Sequence, residues 1–181
     1  PYFKDVHAPG RVQVTRNHPP REGVDPSDHT EYHPGLWLAF GDLGGADFWR
    51  NKAEVQHVEF IQAPVSNGSQ AHFAVRNAYI DGDRKVCEEV CNYTFRVRPA
   101  GILILWDSQF VSQDTPFYFG DQEEMGLGLR VATPIAVKSG RGGRILDSEG
   151  RTNEEETWGK TAAWCDYRSE ERRVGKECAT G

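Results

Sequence analysis

Apolar and polar residues alternate along most of this chain, which is the pattern of β-strands that bury one face. The alternation is clearest over residues 55–61, 71–76 and 86–97. Residues 36–40 are almost continuously apolar, which is typical of a strand buried on both faces. Further strands are predicted at residues 12–14, 102–111, 127–137 and 161–167, and a short helical turn at residues 154–156.

Turn-forming residues separate these segments, and no segment sustains the helical period of about 3.6 residues. Clear turn signals are Asn67-Gly68-Ser69 and a glycine-rich stretch at residues 139–143. Many strands at regular spacing, joined by hairpin turns, predict an all-β fold: an antiparallel β-sandwich of the supersandwich kind. Because we find no linker and no internal repeat, we expect a single domain over residues 1–167.

Composition limits the classes of function. The chain has 181 residues, of which 38% are hydrophobic and 27% charged, as expected for a soluble globular domain with its own core. Its formal net charge of −6 argues against binding to a phosphate backbone. No apolar run approaches the roughly 20 residues that span a bilayer. We therefore expect no nucleic-acid partner and no membrane span.

Both ends of the sequence look cut. Residue 1 is Pro rather than Met, and a periplasmic or secreted location is expected if a signal peptide once preceded it. Residues 168–178 read RSEERRVGKEC, which resembles the translation of a sequencing adapter; a charged, solvated helix end is the alternative. We expect a sandwich that is incomplete at both ends and an artefactual or disordered tail over residues 168–181.

Outside that tail the cysteines are Cys87, Cys91 and Cys165. On a strand, Cys87 and Cys91 share a face but lie about 13–14 Å apart, which is too far for a disulfide. Their spacing also excludes a zinc ribbon, so buried, reduced thiols are expected.

Candidate chemistry is concentrated in residues 28–49, which read DHTEYHPGLWLAFGDLGGADFW. His29 and His33 are flanked by Pro26 and Pro34, which favours a loop over a helix. Neutral imidazoles in a loop suit acid–base catalysis, orientation of hydroxyl groups or metal binding, whereas ordinary loop hydrogen bonds are the alternative. No carboxylate at a fixed spacing completes a metal site, so no metal ligand is assigned.

Later in the same segment, Asp42 and Asp47 bracket a Gly-Gly bend that is followed by Trp49 and Arg50. A flat indole beside a carboxylate and a guanidinium suits a sugar, whose C–H face is apolar and whose hydroxyls need polar partners. We assign these four residues to substrate binding. A hairpin with the aspartates as turn formers and the indole as a core plug is the alternative.

Residues 119–130 form an acidic loop that runs into a Gly-x-Gly strand and ends at Arg130. Glu123 and Glu124 are candidates for a general acid or base if they are desolvated, and Arg130 is a candidate substrate ligand. Glycine within a strand often marks a close approach by another backbone or a ligand. A solvated acidic loop is the alternative. His57 shares a predicted face with apolar residues and is expected to be a satisfied core histidine.

Three blocks carry a family resemblance: residues 28–49, residues 119–138 and residues 143–167. In this order they resemble the bacterial PmoA-like family, which bears a methane oxygenase label. That family often has a His-Pro-His-His-type cluster where this chain reads TEYHP, so only His29 and His33 carry over. The resemblance implies a secreted or periplasmic β-sandwich protein found alongside sugar-degrading enzymes. A mean hydropathy of −0.64 argues against a membrane-bound methane oxygenase subunit.

Three functional hypotheses follow. The favoured one is a carbohydrate-active enzyme, such as a lyase, epimerase or hydrolase, that acts on a small-molecule or glycan ligand. His29, His33 and Glu123 or Glu124 would supply its acid–base chemistry, which requires them to converge with Trp49 in one concave site. A noncatalytic carbohydrate-binding module is one alternative, and a metalloprotein, copper-dependent as the label suggests, is the other.

Overall fold

The computed structural model describes residues 2–29, 31–113, 115–123 and 125–169. Within these ranges the chain folds mostly into antiparallel β-sheets, which confirms the all-β antiparallel class. One short α-helix, α1 (Asn153–Thr157), confirms the predicted helical turn. The strands, in chain order, are β1 (Tyr2–Phe3), β2 (His7–Ala8), β3 (Val12–Gln13), β4 (Leu36–Phe40), β5 (Glu54–Ser66), β6 (Gln70–Asp81), β7 (Arg84–Arg98), β8 (Gly101–Val111), β9 (Met125–Leu129), β10 (Gly143–Asp147) and β11 (Cys165–Ser169).

The largest sheet has the strand order β5-β6-β7-β8, with each strand antiparallel to its neighbour in sequence. Gly82 adopts a φ of 58° in the tight turn between β6 and β7, a left-handed conformation that favours glycine. The pairing of β5 with β6 shifts register between His57 and Glu59 and again beyond Phe60. These bulges interrupt the strict alternation predicted for residues 55–61, because each extra residue changes which side chains face one side.

Two compact units can be distinguished among the described residues. The first comprises residues 2, 7–12 and 37–128, and the second comprises residues 3–6, 13–36 and 129–169. The expectation of one domain stays a prediction. The first unit has a buried core. Strand β4, the Gly-rich turn that follows it at residues 41–47 and the strands of the large sheet contribute to this core. Its buried members are Phe40, Leu43, Ala46, Phe48, Tyr79, Val86 and Cys87.

In the second unit, β10 pairs with β11 in an antiparallel arrangement, and α1 lies in the connection between the two strands. The strand predicted over residues 127–137 is wrong beyond Leu129, where β9 ends. Pro134 has no N–H to donate to a sheet, and the chain instead forms short 3₁₀ turns at Thr133–Ile135 and Val137–Ser139. The strand predicted over residues 161–167 begins only at Cys165.

Strand β11 extends to Ser169, so the first two residues of the predicted tail pair with β10, and residues 170–181 lie outside the described residues. Cys87 and Cys91 are free and buried, which confirms the prediction of reduced thiols, whereas Cys165 is exposed. In the part of the chain that the structure describes, no helix is long and apolar enough to cross a bilayer.

Candidate functional site

The middle of the large sheet holds a carboxylate that is fully shielded from solvent. Glu89 on β7 is 0% exposed. It accepts hydrogen bonds from Asn77 Nδ2 at 2.9 Å, Tyr79 Oη at 3.3 Å and Ser108 Oγ at 2.6 Å. We call these four residues the Glu89 network. Because a buried carboxylate is costly even when it is hydrogen-bonded, such a group is more typical of a functional position than of an ordinary core.

The groups around Glu89 are held in their protonated forms. Burial, and after it the negative charge of Glu89, raises the pKa of Tyr79 well above its usual range. The same two causes raise the pKa of Cys87 to about 12. At neutral pH Tyr79 is therefore a hydroxyl donor to Glu89, and Cys87 is an unreactive thiol.

Four aromatic side chains cross the same sheet, one from each strand. Phe60 and Phe73 have ring centroids 6.3 Å apart, Phe73 and Tyr93 stack at 4.7 Å, and Tyr93 and Trp106 meet edge to face at 4.9 Å. We call Phe60, Phe73, Tyr93 and Trp106 the aromatic strip. Tyr93 is only 2% exposed, whereas Phe60 is 52% exposed and Phe73 and Trp106 are half-buried.

Register places the aromatic strip and the Glu89 network on one face of the sheet. Glu89 is two residues from Cys91 and four from Tyr93, and residues at even spacing on a strand share a face. Cys91 pairs with Ser108, and Tyr93 pairs with Trp106. The two groups also touch, because Trp106 Nε1 donates to Ser108 Oγ at 3.1 Å. The face thus combines an apolar aromatic surface with a buried carboxylate and a half-buried hydroxyl.

His57 belongs to this face as well, because it pairs with Asn77. Its imidazole is exposed and lies 5.0 Å from the ring of Phe60. The expectation that His57 is a core histidine is therefore wrong, because it lies on β5, which is the edge strand of the large sheet and is exposed along most of its length.

The histidine segment lies in the second unit and forms a loop, as predicted. His29 and His33 both adopt left-handed backbone conformations, with φ of 49° and 61°. The two imidazole rings lie 5.7 Å apart, and Tyr32 packs against both, with ring centroids 5.4 Å from His29 and 4.9 Å from His33. His33 is buried and His29 is exposed. Non-glycine residues with positive φ are uncommon and occur preferentially where the surrounding structure imposes them, often at functional sites.

Two arginines brace this loop through Asp28. The Asp28 carboxylate accepts from Arg16 Nη1 at 2.7 Å and from Arg130 Nη1 at 3.2 Å. Arg130 Nε also donates to the carbonyl oxygen of His33 at 3.1 Å. Partial burial opposes ionisation of Asp28, but the hydrogen bond and charge of Arg16, followed by the charge of Arg130, outweigh it and lower the pKa of Asp28.

The Gly-rich turn lies in the first unit, and its two aspartates bind their own segment. Asp42 Oδ1 accepts from the backbone N–H of Gly45 at 2.9 Å. Asp47 accepts from the backbone N–H groups of Trp49 and Arg50 and pairs with the Arg50 guanidinium at 3.2 Å. Burial alone would raise the pKa of Asp47, but these hydrogen bonds from Arg50 lower it. Both aspartates thus serve as turn formers, as in the hairpin alternative.

Glu123 is exposed in the first unit, and Glu124 lies outside the described residues. The structure brings His29 together with His33, Arg130 together with His33, and Asp47 together with Arg50. His29, His33 and Arg130 belong to the second unit, whereas Glu123 and the residues of the Gly-rich turn belong to the first. Convergence of the whole predicted set in one site therefore stays a prediction.

A family model described as a family of unknown function, DUF6807, matches residues 1–178. The chain belongs to this family. No curated protein and no solved structure matches the DUF6807 chain significantly. Across the described ranges, no three His, Cys, Asp or Glu side chains are placed to hold a metal ion together.

Sequence reasoning missed Glu89 in this DUF6807 chain, although a usable signal was present. Glu89 lies in phase with Cys87 and Cys91, which were correctly predicted to share one face of a strand. An acidic residue within that otherwise apolar register is the anomaly that identifies a buried carboxylate. The hydrogen-bond donors come from neighbouring strands, and only the observed register reveals them.

Proposed function

We propose that this DUF6807 protein binds carbohydrate along the aromatic strip of the large sheet, where the strip meets half-buried Ser108, while the rest of the Glu89 network lies in the core beside it. The observation that supports the proposal is the contact between the two groups at Trp106 and Ser108. A sugar presents an apolar C–H face and a rim of hydroxyls, and it therefore needs an aromatic surface next to hydrogen-bonding groups.

The distribution of exposure fits a ligand that lies along the aromatic strip. Phe60 and half-buried Trp106 offer ring surface to solvent, while Tyr93 beneath them holds the strip rigid. Ser108, at the border of the strip and the network, carries the hydroxyl best placed to meet a sugar hydroxyl. Glu89 fixes the orientation of that hydroxyl through a hydrogen bond of 2.6 Å. The resemblance to the PmoA-like family, found alongside sugar-degrading enzymes, favours the same class of ligand.

A glycan screen followed by calorimetry on Trp106→Ala tests this proposal. Removing a central indole from a stacking site is expected to weaken binding by about 10-fold or more. The matched control is Trp158→Ala, which removes an exposed indole of the second unit. Phe60→Ala provides an independent variant, because this exposed side chain is removed with little effect on folding. Equal glycan affinities for the wild type and both strip variants would contradict the proposal.

Acid–base catalysis by His29 and His33 on a sugar bound at their own loop in the second unit is the second candidate function. The observation that favours it is the left-handed backbone of both residues, which are held in one loop by Arg16, Asp28 and Arg130. The test is a turnover screen on glycans and keto-sugars with the His29→Ala/His33→Ala double variant. Loss of turnover with binding retained supports an enzyme, whereas binding without turnover in the wild type supports a noncatalytic module.

A further inference from the structure

We infer that Arg16 and Arg130 form a carboxylate-binding site that Asp28 occupies in this structure, and that an external carboxylate can take its place. The inference concerns the second unit and goes beyond the proposed sugar site. The ligand class is a carboxylate, whether it is carried by a small organic acid or by an acidic sugar.

The Asp28 carboxylate is held as a ligand would be. Its Oδ1 accepts from Arg16 Nη1 at 2.7 Å, and its Oδ2 accepts from Arg130 Nη1 at 3.2 Å. Each oxygen therefore faces a different guanidinium. Paired arginines recognise carboxylates by charge-assisted hydrogen bonds of this kind, whatever molecule carries the carboxylate.

The two arginines are fixed by the backbone, whereas Asp28 is carried by a loop. The N–H of Arg16 donates to the carbonyl of Arg130 at 3.0 Å, next to an antiparallel bridge between Thr15 and Val131. Asp28 lies outside any strand and directly precedes His29, whose backbone is left-handed. The cationic pair is thus preformed, and its anion lies on an irregular segment.

Burial increases from the anion to the cations. The Asp28 side chain is 51% exposed, that of Arg130 is 22% exposed and that of Arg16 is 7% exposed. Asp28 is therefore the member of the trio that faces solvent. A carboxylate arriving from solvent would exchange with the Asp28 side chain and leave the paired backbone of the arginines in place.

Local charge favours exchange of one anion for another rather than addition of a second one. Asp25 also acts on Arg16 through its charge, while its carboxylate is held by Thr133 Oγ1 at 2.5 Å and Asn17 Nδ2 at 2.8 Å. The Nε2 atom of His29 lies 4.0 Å from Oδ2 of Asp28. In the wild type, Asp28 competes at the high effective concentration of a tethered group, so external carboxylates bind weakly.

Thermal unfolding of the Asp28→Ala variant in sodium acetate and sodium glucuronate tests the inference, with sodium chloride at equal ionic strength as the reference. We expect the variant to melt below the wild type, because two guanidiniums lose their carboxylate partner. Arg16 Nη2 keeps its hydrogen bond to the backbone carbonyl of residue 28 at 2.8 Å, and Arg130 Nε keeps its bond to the carbonyl of His33 at 3.1 Å. Either carboxylate should then raise its melting temperature saturably, with a Kd on the order of 10 mM. At about ten times that Kd the rise should be about 3–6 °C. A response to both salts indicates a general carboxylate site, and a stronger response to glucuronate indicates an acidic sugar.

Asp28→Asn provides a second variant that keeps one acceptor oxygen, for use if Asp28→Ala folds only in the presence of a carboxylate. Asp81→Ala is the matched control, because it removes an exposed ion pair with Arg84 and should show no saturable response to acetate. The inference is overturned if chloride stabilises Asp28→Ala as much as acetate does. It is also overturned if Asp28→Ala has the same melting temperature as the wild type. An equal response to sulfate would overturn the assignment to carboxylates.

Discussion

Glu89 shows how one buried residue can be both a structural centre and a candidate for function. Its three donors come from both neighbouring strands, so the carboxylate ties β6, β7 and β8 together through side chains. Truncation of Glu89 would leave Asn77, Tyr79 and Ser108 without their acceptor in a dry environment, and the penalty of unsatisfied groups would add to that of the cavity.

We therefore expect Glu89→Ala to lower the free energy of unfolding by about 2–4 kcal/mol, as measured by urea denaturation. Glu89→Gln keeps the shape and one acceptor oxygen, and its loss should be under about 1.5 kcal/mol. If the two variants are equally destabilised, the charge of Glu89 rather than its hydrogen bonds maintains this part of the sheet.

Gly128 is the position where a single added methyl group should do the most harm within β9. A Cβ built at Gly128 would lie 2.2 Å from Trp37 Cζ2, whose side chain is buried. Gly128→Ala is therefore expected to lower the free energy of unfolding by about 1–3 kcal/mol through overpacking. The control is Gly101→Ala, since Gly101 also lies in a strand but has open space around its Cβ position. Equal unfolding free energies for the two variants would show that Trp37 moves aside without cost.

At the level of elements, alternation predicted the long strands. On β7 the alternation matches burial of one face, whereas β5 is exposed on both faces except at Val55. Strands β6, β7 and β8 enclose the predicted segments. The group next to Gly128 is the side chain of Trp37 rather than the backbone or ligand that the sequence predicted. Strand β10 was missed because its short apolar core, Ile145 and Leu146, adjoins a glycine-rich stretch that indicates a turn. The candidate site depends on register between strands, which alternation within one strand does not encode.

The turn after β10 provides a pH-dependent stability element. Asp147 accepts from the N–H groups of Glu149 and Arg151 at 2.9 and 3.0 Å and pairs with the Arg151 guanidinium at 2.7 Å. Burial by itself would raise the pKa of Asp147, but the hydrogen bonds from Arg151 outweigh this effect and lower the pKa below the ordinary value of 3.8.

A lowered folded-state pKa means that the stabilisation is present above the unfolded-state pKa and is lost as pH falls through the folded-state pKa. We therefore expect Asp147→Asn to melt below the wild type at neutral pH, with the gap narrowing as the pH falls below the ordinary pKa of 3.8 and through the lowered folded-state pKa. Melting temperatures across this range check the prediction. A gap that stays constant down to the lowest pH would show that the charge of Asp147 contributes nothing.

At the level of the whole molecule, the segment after Tyr167 poses a conflict that truncation can decide. Residues 168–178 resemble an adapter translation, yet the DUF6807 match extends to residue 178. Strand β11 includes Ser169 and pairs with β10, where Tyr167 lies opposite buried Ile145. Tyr167 also accepts a hydrogen bond from the N–H of Val137 at 3.2 Å.

Two truncations separate these contributions. Removing residues 165–181 deletes β11 and should lower the melting temperature by about 5 °C or more. Strand β10 would lose its only pairing strand among the described residues, and buried Ile145 would lose the neighbouring Tyr167. Removing only residues 170–181 keeps β11. If the predicted adapter origin is right, this segment was never selected to pack against the fold, and its removal is expected to leave the melting temperature unchanged. A marked drop for the shorter truncation would instead assign residues 170–178 to the family fold, in agreement with the extent of the family match.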